Sequence, residues 1–254
     1  MKPLENKAAL VTGGSRSLGK TTALRLAALG ADVCLSYHSQ AEAAQQTVAE
    51  IEAMGCKAAA LQVDFIDQKH IAGFVEQFRG VLRQWETDKF DILVNNAGIL
   101  CRKPFAYVSE ADLDAQYNIN FKSVFFLTQA LVNDLRDGGR IINLGSGTTR
   151  TAFGPLIAYA TMKSAVELFA QYLAKELGQR QITVNVVSPG ALDTDFNKDL
   201  FTEMPGAKEY IASVTALGRV GVAQDAAGLI AFLCTEEARW VTGQRIEASG
   251  GAYL

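Results

Sequence analysis

Short apolar runs alternate with longer stretches in which apolar residues recur every three or four positions, and the alternation persists along nearly the whole chain. Six runs read as strands: "KAALVT" (7–12), "DVCLSY" (32–37), "KAAALQVD" (57–64), "FDILVNN" (90–96), "GRIINLG" (139–145) and "ITVNVVS" (182–188). Helix-like sequence separates them. In "AEAAQQTVAEIEAMG" (41–55), Ala44, Val48 and Ile51 fall at helical spacing and Gly55 supplies a stop signal. Strands that alternate with helices predict a doubly wound α/β fold of Rossmann type, a parallel sheet with helices on both faces. Ligands of such sheets sit outside the carboxyl ends of the strands, so the residues just after each run are the informative ones.

At 254 residues, with 49% hydrophobic and 20% charged residues, the chain can bury one large core or two small ones. Its five prolines and 22 glycines are scattered and mark no linker, so a single domain over residues 1–254 is expected. A net charge of −3 without a long basic run gives no reason to expect nucleic acid or an anionic membrane as partner. No stretch approaches the ~20 apolar residues that span a bilayer, and no targeting segment is visible, so a cytoplasmic protein is expected. Cys34, Cys56, Cys101 and Cys234 lack metal-ligand spacing and read as reduced thiols. With only His38 and His70 as histidines, no metal site is expected.

The first strand runs into "VTGGSRSLGK" (11–20), a glycine-rich turn feeding a helical pattern. Free amides at a helix start favour a phosphate, and small residues let the backbone approach it. Gly13, Ser15, Arg16, Ser17, Leu18 and Gly19 are therefore candidates to hold a nucleotide, although such turns also serve packing alone. Ser17 is expected to cap the helix, since serine is a favoured N-cap.

An NAD site normally carries a carboxylate at the end of the second strand to bind the adenosine ribose. Here Tyr37, His38 and Ser39 stand there, and no acid follows until Glu42. With Arg16 in the glycine turn, the pattern points to the extra phosphate of NADP(H). A solvated Arg16 and a packing role for Tyr37 are the alternative.

Of the seven tyrosines, only Tyr159 has a lysine four residues later, in "YATMK". On a helix the two share a face, and the Lys163 charge would lower the phenol's pKa toward working pH, as a general acid or base needs. Ser146 follows the fifth run, where its hydroxyl could donate to a substrate carbonyl. Asn120, in "NINFKSVFFLTQ", is either a surface position or the holder of a water that relays protons to the lysine.

Together these motifs resemble the short-chain dehydrogenase/reductase family, and the resemblance covers essentially the whole chain. It rests on the turn from Thr12 to Gly19, Asp64, "NNAG" (95–98), Asn120, Ser146, Tyr159, Lys163, "SPG" (188–190) with Thr194, and "TGQRIEASGG" (242–251). The resemblance implies a seven-stranded parallel sheet, a dimer or tetramer, and a catalytic tetrad of Asn120, Ser146, Tyr159 and Lys163. It also implies that Asp64 contacts the adenine, that Asn95 supports the central strands, and that Asn96, Ala97, Gly98, Pro189 and Gly190 line the cofactor. Thr194 would touch the nicotinamide, and Lys163 its ribose. Two departures stand out. Ser17 replaces a usual glycine, and "ASGG" (248–251) replaces the common "DGG", a change expected to affect packing or subunit contacts.

The implied activity is NADPH-dependent reduction of a small-molecule carbonyl, with a 3-oxoacyl thioester, ketone or quinone as substrate. If the thioester is on a carrier protein, basic residues near the site entrance would meet that acidic partner: Arg180 is placed there by resemblance, while "RDGGR" offers Arg136 and Arg140 broken by Asp137. The segment at about 191–217 is positioned to cover the site, with Phe196, Leu200, Phe201, Met204 and Tyr210 able to receive an apolar group. A polyol or sugar dehydrogenase running oxidatively, and a non-catalytic NADP(H)-binding regulator, are the alternatives. "FKSVFFLTQALVNDL" and "AVELFAQYLAKEL" are apolar over more than one face, which favours a homo-oligomer, most simply a tetramer.

Overall fold

The computed structural model describes residues 2–254. Its strands are β1 (Ala8–Val11), β2 (Asp32–Tyr37), β3 (Ala58–Gln62), β4 (Phe90–Asn95), β5 (Leu135–Leu144), β6 (Thr183–Pro189) and β7 (Arg245–Ala248). They form one parallel sheet in the order β3-β2-β1-β4-β5-β6-β7. The chain's direction of travel across the sheet reverses between β1 and β4, so the switch point lies above these two strands. Both are buried along their whole length because helices cover both faces, which is why they read as mainly apolar runs, with Asp91 and Asn95 the polar exceptions in β4.

The helices are α1 (Ser17–Ala28), α2 (Ala41–Glu52), α3 (Lys69–Gln84), α4 (Glu110–Tyr117), α5 (Ser123–Leu131), α6 (Ile157–Leu177), α7 (Lys198–Glu203), α8 (Ala207–Ser213) and α9 (Ala223–Leu233). Two core layers result. On one face α3, α5 and α6 bury Phe74, Phe78, Leu127, Leu131 and Ala170 against Leu10, Leu93 and Ile141. On the other, α1, α2 and α9 bury Leu26, Ile51 and Ile230 against Val33, Leu35 and Val94. Among the described residues no helix is long and apolar enough to cross a membrane.

The apolar pattern marks six strands; β7 escapes it because Arg245 and Glu247 alternate with Ile246 and Ala248 at a half-buried edge. Between α4 and α5 the helix widens into a single π-type turn at Asn118–Lys122, a local insertion often found at functional sites. α6 is the longest helix and brings its first turns to the carboxyl edge of the sheet.

The three arginines expected at the site entrance lie elsewhere. Arg180 precedes β6, and its Nε donates to Asp137 Oδ1 at 2.7 Å while Nη1 donates to the Val132 carbonyl at 2.8 Å. Arg136 reaches Thr87 Oγ1, and Arg140 is buried with its Nη2 2.9 Å from Glu236 Oε1. All three stand near the amino-terminal ends of β5 and β6, where each satisfies local carbonyls or acids. This corrects the expectation that they guard the cleft, which opens at the other end of the strands.

Candidate active site

A cavity of about 500 Å³ runs along the carboxyl edge of the sheet, lined by the glycine turn, the ends of β2 to β6 and the segment after β6. The turn's shape is set by contacts a side chain would break. Gly13 has φ +65°, and a Cβ on Gly19 would overlap the Gly13 carbonyl. Asn96 fastens the turn from the side, donating from Nδ2 to the carbonyls of Thr12 (2.8 Å) and Gly13 (3.1 Å). In return Thr12 Oγ1 accepts from the amides of Asn96 and Ala97, both at 2.9 Å.

Ser17 departs from its expected part. The residue ahead of α1 is the extended Arg16, which makes no side-chain cap, and Ser17 itself is the first helical residue with φ +50°. Its hydroxyl donates instead to Asp195 Oδ2 at 3.3 Å. The family's usual glycine fits this left-handed backbone without strain, whereas a side chain there costs energy.

At the end of β2, Tyr37, His38 and Ser39 line the cavity, and Glu42 does not. His38 Nε2 lies 3.8 Å from Asp64 Oδ2, while Asp64 Oδ1 accepts from the Ile66 amide at 2.9 Å. The Arg16 side chain is 60% exposed, with Nη1 4.0 Å from Asp195 Oδ2. The close-packed glycines, an amide-rich helix start and an exposed cation without a β2 carboxylate fit a phosphorylated dinucleotide. Leu18, Gly98, Pro189, Gly190 and Thr194 line the same cavity, as do Gly13, Ser15, Asn96 and Ala97.

Ser146, Tyr159 and Lys163 come together in the middle of the cleft. All three are buried. Ser146 Oγ accepts from Thr148 Oγ1 (2.8 Å) and the Thr148 amide (3.2 Å), which leaves its own proton for the Tyr159 phenol. Lys163 donates to the Leu144 carbonyl at 2.8 Å, and its Nζ stands 5.7 Å from the centre of the Tyr159 ring. Burial pushes the phenol up to about 12, against the opposing effect of the Ser146 hydrogen bond. Burial also lowers Lys163 to about 8. The expected lowering of the phenol by the lysine is not found: the lowering influence comes from Ser146, and desolvation outweighs it.

Asn120 is fully buried at the π-type turn, which removes the surface reading. Its Nδ2 donates to the Ile99 carbonyl and to Gln116 Oε1, both at 2.9 Å, and its Oδ1 accepts from the Ile99 amide at 3.2 Å. Both side-chain donors are spent on protein, so the side chain clamps the loop after β4. A Cβ on Gly98 would meet Asn120 Oδ1 at 2.8 Å, so the clamp presses directly on "NNAG". Asn95 bridges the central strands, donating to Asn143 Oδ1 at 2.8 Å and Thr128 Oγ1 at 3.1 Å.

The segment 191–217 folds into α7 and α8 above the cleft. Phe196 lies 6.1 Å from the Tyr159 ring, and Phe196, Leu200, Ile211 and Val214 line the cavity. Phe201 and Met204 do not: Phe201 packs beneath Lys208 Nζ, 5.1 Å from the ring centre, and Met204 is exposed. Phe153, which lines the cavity, stacks at 16° and 6.2 Å on Tyr210 and lies 5.9 Å from Tyr253. Ser249 of "ASGG" also lines the cavity and abuts Gly190, so that departure touches the site as well as packing.

Sequence reading missed Thr148, Phe153 and Tyr253, none of which belongs to a periodic pattern. It also missed Glu167, although this residue stands four after Lys163 and so shares its helix face.

A doubly wound sheet carrying this tyrosine, lysine and serine at its carboxyl edge defines a Rossmann-type oxidoreductase. Comparison with known proteins makes the class specific. A family model described as enoyl-(acyl carrier protein) reductase matches residues 13–253. The hydroxynaphthalene reductase-like protein Arp2 of Metarhizium brunneum is 36% identical over 262 positions, covering 99% of this chain and 96% of that protein. Among solved structures, the promiscuous reductase LugOII, which catalyses keto-reduction at C1 during lugdunomycin biosynthesis, is 39% identical with a TM-score of 0.94, covering 99% of this chain and all of that one. The angucycline C-6 ketoreductase LanV, crystallised with NADP, is 35% identical with a TM-score of 0.94, covering 99% and 97%. The chain belongs to the short-chain dehydrogenase/reductase family.

Proposed function

We propose that the chain is an NADPH-dependent ketoreductase acting on planar aromatic or polycyclic ketones and quinones. The observation that carries this reading is the convergence of the buried Ser146, Tyr159 and Lys163 on one cavity at the carboxyl edge of the sheet. When bound, NADPH supplies a hydride to the carbonyl carbon. Tyr159 donates its proton to the carbonyl oxygen as charge develops there, and Ser146 donates a hydrogen bond to the same oxygen. Lys163 places a positive charge beside the phenol and restores its proton. Asn120 acts through its grip on Ile99, keeping the floor of the site in place.

The glycine turn would hold the pyrophosphate, Arg16 the extra phosphate, Asp64 the adenine end, and Thr194 and Lys163 the nicotinamide end. Phe153 and Phe196, with Tyr253, give the substrate end an aromatic lining suited to a flat ring system. The names of the relatives agree: hydroxynaphthalene reductase-like Arp2 and two polyketide ketoreductases, one of which has been crystallised with rabelomycin as well as NADP. A carrier-bound thioester loses its support because Arg136, Arg140 and Arg180 face away from the cleft.

We further propose a homotetramer in the cytoplasm. Phe126 on α5, and Leu168 and Tyr172 on α6, lie exposed on neighbouring helices in the single chain, an apolar face of the kind subunits cover. Light scattering at micromolar concentration is expected to give four times the chain mass; a monodisperse single chain would refute assembly.

The activity is tested by NADPH oxidation with 2-tetralone, a naphthoquinone and an acetoacetyl thioester. Turnover of the bicyclic compounds is expected to exceed that of the thioester, and Tyr159→Phe to lower it by ~10²-fold or more with NADPH binding retained. Undiminished activity in that variant would remove Tyr159 from the chemistry.

A further inference from the structure

A charged network lies behind the Ser146 peptide: its central pair, Arg245 and Glu167, stands outside the cavity lining while its Glu247 end reaches it, and the reaction described above makes no use of it. Arg245 of β7 directs its three nitrogens to four acceptors, its Nε reaching Thr149 Oγ1 at 3.2 Å as well as Glu167. Nε donates to Glu167 Oε1 at 2.9 Å, Nη2 to the Ser146 carbonyl at 3.1 Å, and Nη1 to Glu247 Oε2 at 3.1 Å. Glu167 Oε1 in turn collects Thr149 Oγ1 at 2.7 Å and Ser188 Oγ at 3.3 Å. The Arg245 and Glu167 side chains are only 22% and 16% exposed. Gly145, just ahead of Ser146, leaves no slack: a Cβ there would overlap Ser188 Oγ and come within 3.2 Å of Glu167 Oε1.

The pair therefore joins three pieces of the site. It connects the end of β5, which carries Ser146, to α6, which carries Tyr159 and Lys163, and both to the sheet edge at β7. A planar guanidinium can serve several acceptors fixed in different directions, whereas an ammonium cannot match that fork. Stability alone does not call for such a pair, because apolar residues of similar volume often serve a partly buried position as well or better. Placement does call for it, since Ser146 and Tyr159 must meet one carbonyl oxygen and an error of 1 Å lowers rate steeply.

We propose that Arg245 and Glu167 are positioning residues, which hold the Ser146 peptide in register with α6 so that the serine and tyrosine hydroxyls converge on the substrate oxygen. The proposal rests on the ketoreductase reading given above. It makes Arg245 act through Ser146, and the consequence is measurable.

Steady-state kinetics and thermal melting of Arg245→Lys, Glu167→Gln, the double variant Arg245→Leu/Glu167→Leu, and Ser146→Ala form the test. Arg245→Lys and Glu167→Gln are each expected to lower kcat by about 10-fold, with KM for NADPH within twofold of wild type. The double leucine variant, which removes both charges together, is expected to keep its melting temperature and still lose kcat. In a Ser146→Ala background, Arg245→Lys is expected to bring no further loss, because the group it positions is gone. Wild-type kcat in the folded double variant, or a full additional loss in the Ser146→Ala background, would overturn the proposal and leave the pair a packing feature. Wild-type activity in Ser146→Ala itself would instead refute the ketoreductase reading on which the proposal stands.

Discussion

Ser17 and Asp195 touch across the mouth of the cleft: the serine hydroxyl donates to the carboxylate at 3.3 Å, and the same oxygen lies 4.0 Å from Arg16 Nη1. The glycine turn and the covering segment are thereby tied together at their exposed ends. Ser17 makes this contact from a backbone with φ +50°. Ser17→Gly is accordingly expected to raise stability by roughly 0.5–1 kcal/mol, as relief of left-handed strain exceeds the entropy glycine adds to the unfolded chain. Chemical denaturation checks this, and a loss of more than 1 kcal/mol would show that the tie to Asp195 outweighs the strain.

Arg16→Ala is expected to weaken NADPH by roughly 10- to 100-fold while changing NADH little, the range of one charge-assisted contact to a phosphate. Fluorescence titration with both cofactors measures it. Equal losses for the two would move Arg16 to the shared pyrophosphate.

The rate of carbonyl reduction is expected to fall as pH rises through about 8, the point at which buried Lys163 loses its charge, while Tyr159 stays protonated to about 12. The group that limits the alkaline side is thus the lysine. A kcat profile flat to pH 10 would contradict this assignment.

Stability carries the opposite signature of the same group. Because the folded state holds Lys163 near 8 and the unfolded chain near its ordinary 10.5, the folded protein binds fewer protons between these values and gains stability as pH rises across that window. Below pH 8 the full penalty applies, on the order of 3 kcal/mol. Lys163→Met is expected to abolish turnover yet raise stability at pH 7 by about 1–2 kcal/mol after loss of the Leu144 hydrogen bond, with the gain fading toward pH 10.5. A melting temperature below wild type at pH 7 would sink this.

The frame of the molecule was readable because its strands are buried on both faces and its helices carry one apolar stripe. The residues at strand ends were readable because a carboxyl edge is where such sheets place their chemistry. Three things were not. The φ of Ser17 leaves no trace in composition, so the serine passed for an ordinary cap. The state of the Tyr159 phenol depends on how much water surrounds it, and spacing to Lys163 records only the charge. Arg180 resembled a basic residue at the entrance, but its end of β6 is decided by strand direction, which a local stretch does not reveal. The Arg245–Glu167 pair spans 78 residues and becomes visible only once β7 lies beside β6.

The widened turn at Asn118–Lys122 has a bearing on how this chain can change. One surplus residue in a helix rotates everything beyond it by about 100°. The stretch from Glu110 to Leu131 is therefore two helices out of phase, one aligned so that Gln116 meets Asn120, the other so that Leu127 and Leu131 reach the core. Removing any single residue from the turn would restore a regular helix and force a choice between those two alignments. Insertions and deletions that surface loops absorb freely are thus closed to this stretch, and its length is as much a functional constraint as any side chain upon it.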